Sequence, residues 1–356
     1  MTTAIAWSDL MGAHDPGPRA AFLPPVAYLP DEPWDRGERV RSLVEMLDFA
    51  APLLPSVEVV KDFPAASEQT LRWFHTDAYV SSAAASGERF RAGLLAAGAA
   101  LDLSRRVWTR EVTNGYALTR PAGHHSEAAK AGGNCLFANG VLAALRAQRS
   151  GARRVLFLDW DAHHGNSQQT AFWQDPSVLT ISVHQGRAYP PGTGGSDARG
   201  AGPGFGTNLN VCVPMGSGGG VYRAVFERVV RPAADRYRPE MVIVACGYDG
   251  GYLDPSARLA LHAGDYGWMA AQAKSIADEH AQGRLLLTHE GGYALPYLPL
   301  CFLRVIESLS GDDTGIDDPF LRHWGRDFAS AVPAEAEAAI VVAAGQVADV
   351  PSGAVS

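Results

Sequence analysis

Short apolar runs, separated by longer alanine-rich stretches, constrain the fold of this chain more than any other feature. The runs are AIAW (4–7), GYALT (115–119), RVLFLDW (154–160), VLTISVH (178–184), NLNVCV (208–213), MVIVACG (241–247) and RLLLTHE (284–290). Most are continuously apolar rather than alternating, the pattern of strands covered on both faces. Helical composition fills 37–50, 68–74, 89–106, 138–149, 220–235, 264–281, 296–309 and 333–347. Strands alternating with helices predict an α/β fold: a multi-stranded parallel sheet with helices on both faces. The 356 residues, 47% hydrophobic and 19% charged, suit one domain over 1–356 with a sizeable core. The part after about residue 331 reads as a peripheral C-terminal helix and tail. YPPGTGGSDARGAGPGFG (189–206) reads as a long ordered loop, and a loop of that length in a compact domain is usually functional.

The formal net charge is −8. An acidic chain has no bulk attraction for a phosphate backbone, so nucleic acid is not an expected partner. No apolar window approaches the roughly 18 residues of a membrane span. The N-terminal MTTAIAWSDLMGAHDPG lacks a basic region followed by an apolar one, so no signal peptide is expected. Cys135, Cys212, Cys246 and Cys301 are far apart and form no CxxC pair. They read as free thiols of a reducing, cytoplasmic compartment rather than as disulfides or a cysteine metal site.

In open parallel sheets, ligands sit beyond the carboxyl ends of the strands. Five strand ends carry polar clusters here: RPAGHHS after 115–119, DWDAHHGN after 154–160, SVHQ, CGYDGGYLDP, and HEGGY after 284–288. Strand alternation puts Asp159, Asp161 and His163 on one face. Asp-x-His with a distant third carboxylate is a zinc-type ligand set, and Asp249, on another strand end, can supply the third ligand. Helix capping alone would account for one carboxylate, not for four ionisable groups in six positions. His124 and His125 offer a general base and acid near a metal-activated water. Asp159, left over from the ligand set, can fix the tautomer of one of them, and Asn166 can orient the other more weakly. Tyr293, behind two glycines, can stabilise an oxyanion. A two-metal site of the arginase type needs further carboxylates where this chain has Gly165 and Gly251, so a single metal is favoured.

Taken in order, RPAGHH, GGNCLFAN, DWDAHHGN, ISVHQ, CGYD…LDP and EGGY resemble the signature segments of the zinc-dependent histone deacetylase family. The resemblance is closest to bacterial class II-like histone deacetylase-like amidohydrolases and acetylpolyamine amidohydrolases, and runs from about residue 4 to 325. It implies an arginase/deacetylase-like fold and zinc-dependent hydrolysis of an amide. Motif by motif, Asp161, His163 and Asp249 resemble the zinc ligands and His125 the general base. His124 resembles the base's electrostatic partner, Asp159 and Asn166 the residues behind the pair, and Tyr293 the tyrosine that polarises the substrate carbonyl. Gly133 matches the position whose carbonyl meets the substrate amide. A structural potassium ion would use Asp159, Asp161, His163, Ser182 and Val183. Related bacterial enzymes form dimers or tetramers, so a homo-oligomer is expected.

The chain departs from the family around the tunnel. Asn134 replaces one of two lining aromatics, and Tyr189 matches the other. Cys246 and Tyr248 replace smaller or different residues in the usual Ser-Ala/Gly-Gly-Phe-Asp segment. Ser256 stands where a larger apolar residue is common. The family's N-terminal His-Pro-Glu segment has only a loose counterpart in YLPDEPWDRGERV (28–40). Loss of an aromatic wall weakens the grip on an apolar lysine stem. The expected substrate is therefore a small N-acylated amine or other amide, with weak activity on histone peptides. A protein acetyl-lysine deacetylase is the alternative within the class. A zinc-holding module that binds acyl groups without cleaving them is the alternative outside it. Iron(II) is a second candidate for the metal.

Overall fold

The computed structural model describes residues 2–14, 35–321 and 329–353. Residues 28–34 of the loose N-terminal counterpart and the last three residues of the tail lie outside that range. The sheet has eight strands: β1 (Thr3–Ala6), β2 (Val57–Val60), β3 (Asn114–Ala117), β4 (Val155–Asp159), β5 (Val178–Gln185), β6 (Asn208–Val213), β7 (Met241–Cys246) and β8 (Leu285–His289). Every pairing is parallel, in the order β2-β1-β3-β8-β7-β4-β5-β6. The chain places β4 three positions away from β3, leaving two places between them, and builds outward to β6. It then returns to fill the gap with β7 and β8. The carboxyl ends of β3, β8, β7 and β4 thus stand side by side.

Helices cover both faces. Gly115 of β3 abuts the helix Glu88–Thr109, where a Cβ would lie 3.3 Å from the Leu103 side chain. The next residue, Tyr116, meets Phe302 of the helix Leu298–Ser310, ring centroids 5.1 Å apart. Adjacent strand residues point to opposite faces, so these two helices lie on opposite sides. With the first packs the helix Asn139–Arg149, and with the second the helix Ala263–His280. The C-terminal helix Ala334–Gln346 packs on the edge strand β6, burying Ala336, Ile340 and Ala343.

Among the departures from the sequence expectation, three have a plain physical reason. Strand β2 was not expected; it is a short edge strand with an exposed Glu58 and Val59 and so lacks the continuous apolar signal. A helix at Asp77–Ala84, capped by the Thr76 hydroxyl, fills what had no assigned element. The single helix expected at 220–235 runs from Gly219 to Tyr237, with a π turn at Phe226–Val230. Pro232 accounts for the turn: it has no N–H, and its ring crowds the carbonyl one turn back. Among the described residues, no helix is long and apolar enough to cross a membrane.

Candidate active site

Strand β4 ends at Asp159, one residue earlier than expected. Asp161 and His163 therefore lie beyond the strand, and strand alternation does not place them. Two successive Asx-type turns do. The Asp161 N–H donates to Asp159 Oδ1 (2.9 Å), and the His163 N–H donates to Asp161 Oδ1 (2.9 Å). The Ala162 N–H donates across to Asp249 Oδ1 (2.7 Å), tying this loop to the one after β7.

Among the described residues, Asp161, His163 and Asp249 form one of three groups whose ligand atoms lie within 4.8 Å of one another. His163 Nδ1 is 2.7 Å from Asp249 Oδ2 and 3.2 Å from Asp161 Oδ1. Both carboxylates are 1% exposed, so bulk solvent does not reach them. Burial and the facing Asp161 push the Asp249 carboxyl up to about 7. Burial would lower His163, but Asp249 and Asp161 outweigh it and hold the ring well above its usual range. Two buried carboxylates converging on one imidazole is a site that favours a cation. The donor set, two oxygens and one nitrogen, fits zinc with an open position. Glycine makes the convergence possible: a Cβ on Gly291 would lie 2.5 Å from Asp249 Oδ2 and 2.7 Å from Asp161 Oδ2. The Gly291 N–H itself donates to Asp161 Oδ2 (2.9 Å). At Gly165 a side chain would collide with Gln168 and Asp159, leaving no room for the extra carboxylate of a two-metal centre.

His124 and His125 lie ring over ring, centroids 3.8 Å apart. Their outer nitrogens go to different partners. His124 Nδ1 is 3.1 Å from Asp159 Oδ2, while its Nε2 is 3.6 Å from Asp161 Oδ1. Burial alone would lower its pKa, but Asp161 and Asp159 outweigh it and raise it to about 10. His125 Nδ1 meets the neutral Asn166 Oδ1 at 2.8 Å. Burial, then the neighbouring His124, hold His125 well below its usual range, which keeps its ring neutral. His125 stands edge-on to His163, ring centroids 6.1 Å apart.

Tyr293 follows Gly292, whose φ of 126° only glycine adopts readily. Its hydroxyl accepts a hydrogen bond from Asn134 Nδ2 (3.2 Å). Gly133, at φ 53°, packs against His125 and donates its N–H to the Tyr189 hydroxyl (2.8 Å). The Tyr189 ring stands edge-on to His125 at 4.8 Å. Gly133, Asn134, Tyr189 and Tyr293 thus meet beside the histidine pair. Ser256 stands further back: its hydroxyl and N–H are both held by Asp254 Oδ1 (2.6 and 2.9 Å). Ser182 lies in register beside Asp159 and donates to His184 Nδ1 (2.9 Å), with Val183 buried next to it.

Three further residues support the site and were not singled out from the sequence. Asp254 Oδ2 accepts the N–H groups of Tyr293 (2.5 Å) and Ala294 (3.2 Å), fixing the tyrosine's backbone; its LDP motif was visible. Arg39, buried, donates to the carbonyls of Glu290 (2.9 Å) and Gly292 (3.3 Å) and lies 5.2 Å from the centre of the Tyr293 ring. Glu127 meets Asn166. Its only sequence signal is its position two residues after the histidine pair.

Residues 34–309 match the family model for the histone deacetylase domain. The chain is 36% identical over 349 residues to a histone deacetylase-like amidohydrolase of Pseudomonas aeruginosa, covering 92% of this chain and 89% of the relative. It is 33% identical to histone deacetylase 8 of Arabidopsis thaliana, over 91% of this chain and 90% of that one. Among solved structures, the crystal structure of the HDA15 HD domain matches with a TM-score of 0.84 at 29% identity, over 97% of this chain and 94% of that one. Fold and relatives define a hydrolase of the deacetylase and amidohydrolase class. The chain belongs to the histone deacetylase family.

Proposed function

We propose that this protein is a zinc-dependent amidohydrolase that deacylates a small N-acylated amine or related amide. The observation that carries the reading is the buried meeting of Asp161, His163 and Asp249 within 4.8 Å, beside a neutral His125. Those three residues would hold the zinc ion, which when bound polarises an acyl carbonyl and acidifies water to a pKa of about 7. His125, with Nδ1 engaged by Asn166, takes the proton of the attacking water on Nε2 and returns it to the leaving amine. His124, cationic between Asp159 and Asp161, supplies fixed positive charge. Tyr293 donates its hydroxyl proton to the developing oxyanion while its oxygen accepts from Asn134. A potassium ion at Asp159, Asp161, His163, Ser182 and Val183 would stiffen the loop behind the site. The remaining parts of the proposal are one domain over the whole chain, a cytoplasmic setting, a homo-oligomeric state and no nucleic-acid partner.

The polar Asn134 favours small amides over an acyl-lysine stem. The histone deacetylase names among the relatives keep acetyl-lysine peptides as the second substrate class. The deciding experiment is kcat/KM of the zinc-loaded protein on a matched pair, an acetyl-lysine peptide and an acetylated polyamine. Preference for the polyamine is expected. Preference for the peptide would turn the reading to a protein deacetylase, and no turnover of either would turn it to a binding module.

A further inference from the structure

A carboxylate behind an imidazole can only accept, but a primary amide has one accepting and one donating end. Left to itself, Asn166 could present its NH2 group to His125 Nδ1 as readily as its oxygen. The ring proton would then sit on Nε2, and His125 could take no proton there. The structure shows what prevents this. Asn166, 4% exposed, has its Oδ1 2.8 Å from His125 Nδ1, and its Nδ2 donates to Glu127 Oε1 at 2.8 Å. The same Nδ2 lies 3.4 Å from the His125 carbonyl. Reversing the amide would set Oδ1 against the Glu127 carboxylate, acceptor against acceptor, at hydrogen-bond distance.

Glu127 is itself held. Its N–H donates to the Lys130 carbonyl (3.0 Å), its Oε2 is 3.3 Å from Lys130 Nζ, and its carbonyl meets His75 Nδ1 at 3.1 Å. We propose that Glu127 is a positioning residue: by accepting from Asn166 it fixes the orientation of that amide, and through it the His125 tautomer that leaves Nε2 bare. A site with aspartate at 166 would not need such a partner; a site with asparagine does. The inference rests on the reading of His125 as the general base.

The test compares Glu127→Ala and Glu127→Gln, in the native protein and with Asn166→Asp, all zinc-loaded. Loss of one orienting hydrogen bond corresponds to roughly 2–10-fold in rate. Glu127→Ala is therefore expected to lower kcat by about that factor with KM within about twofold. Glu127→Gln, whose carbonyl still accepts from Asn166, recovers most of the loss. With Asn166→Asp, Glu127→Ala costs nothing or raises kcat, because the paired carboxylates repel. Equal loss in both backgrounds would overturn the proposal in favour of a purely structural role. A second readout needs no substrate. The 15N shifts of the His125 ring, assigned by His125→Gln, report a bare Nε2 in the native protein and a tautomer mixture in Glu127→Ala. An unchanged tautomer in Glu127→Ala overturns the proposal. A shifted tautomer in a protein that hydrolyses no amide supports it while overturning the functional reading.

Discussion

Asn134 donates its side-chain amide to the hydroxyl oxygen of Tyr293, 3.2 Å away. A tyrosine whose oxygen already accepts one hydrogen bond is polarised toward donating its own proton, so the asparagine strengthens the group that would face the substrate carbonyl. It does so where the family usually places an aromatic wall. Asn134→Phe is expected to lower kcat on small amides by about 2–10-fold, the range of one hydrogen bond. The same change is expected to lower KM for an acetyl-lysine peptide, because the wall is restored. Steady-state kinetics on both substrates checks the opposite signs.

Removing the Tyr293 hydroxyl is expected to cost far more than removing its partner. Tyr293→Phe should lower kcat by about 10²–10³, the cost of losing one oxyanion donor. His125→Ala should lower it at least as far. Full activity in either variant, measured with zinc stoichiometry confirmed, would falsify the assigned roles.

The Asp161–Asp249 pair is expected to make the fold sensitive to metal. Both carboxylates are buried and face one another across His163, so a bound cation relieves repulsion that the metal-free chain must carry. At a hundredfold excess over Kd, linkage alone stabilises the native state by about 2.7 kcal/mol. A chelator is expected to lower Tm by several degrees and zinc to restore it. Gly291→Ala, which drives a methyl group into the carboxylate pair, should fold yet lose most of that zinc response. Thermal melts of both proteins with and without zinc are the check.

His75 predicts an acid limb to stability. Its Nδ1 donates to the Glu127 carbonyl (3.1 Å), and its Nε2 accepts from the Ala138 N–H (3.0 Å), so only the neutral ring fits. Burial lowers its pKa from 6.5 to about 4. The folded-state pKa lies below the unfolded one, so the unfolded chain takes up the proton first as pH falls. Stability from this residue is intact above about 6.5 and is lost down to about 4, on the order of 1 kcal/mol per pH unit. His75→Gln, destabilised at pH 7, should close the gap to the native protein across that window in urea titrations.

Much of this was legible because the chemistry sits where apolar runs end. Seven of the eight strands left a recognisable run in the sequence, most of them continuously apolar, and DWDAHHGN, CGYD and EGGY mark the rim directly. The missing strand, β2, is an edge with half its residues in solvent, so burial does not write it into the sequence. The positions of Asp161 and His163 were foreseen, but through strand alternation; side chain-to-backbone turns hold them instead, and hydrophobic periodicity carries no trace of those. The residues missed altogether act at one remove. Glu127 touches Asn166 rather than the reacting centre, and Arg39 reaches the Tyr293 loop through backbone carbonyls from about 250 positions earlier. Such contacts depend on the tertiary path of the chain, which no local pattern encodes.

The strand order also sets a timetable. As the chain emerges from a ribosome, β1 through β6 are complete before either β7 or β8 exists, yet those two form the middle of the sheet. A nascent chain that stops short of residue 241 has the strands of both halves but neither strand that joins them, and it has Asp161 and His163 but no Asp249. If the triad holds a metal ion as proposed, its capture would wait for β7 to enter between strands made earlier, and the site would be a seal set late in synthesis rather than a seed for folding.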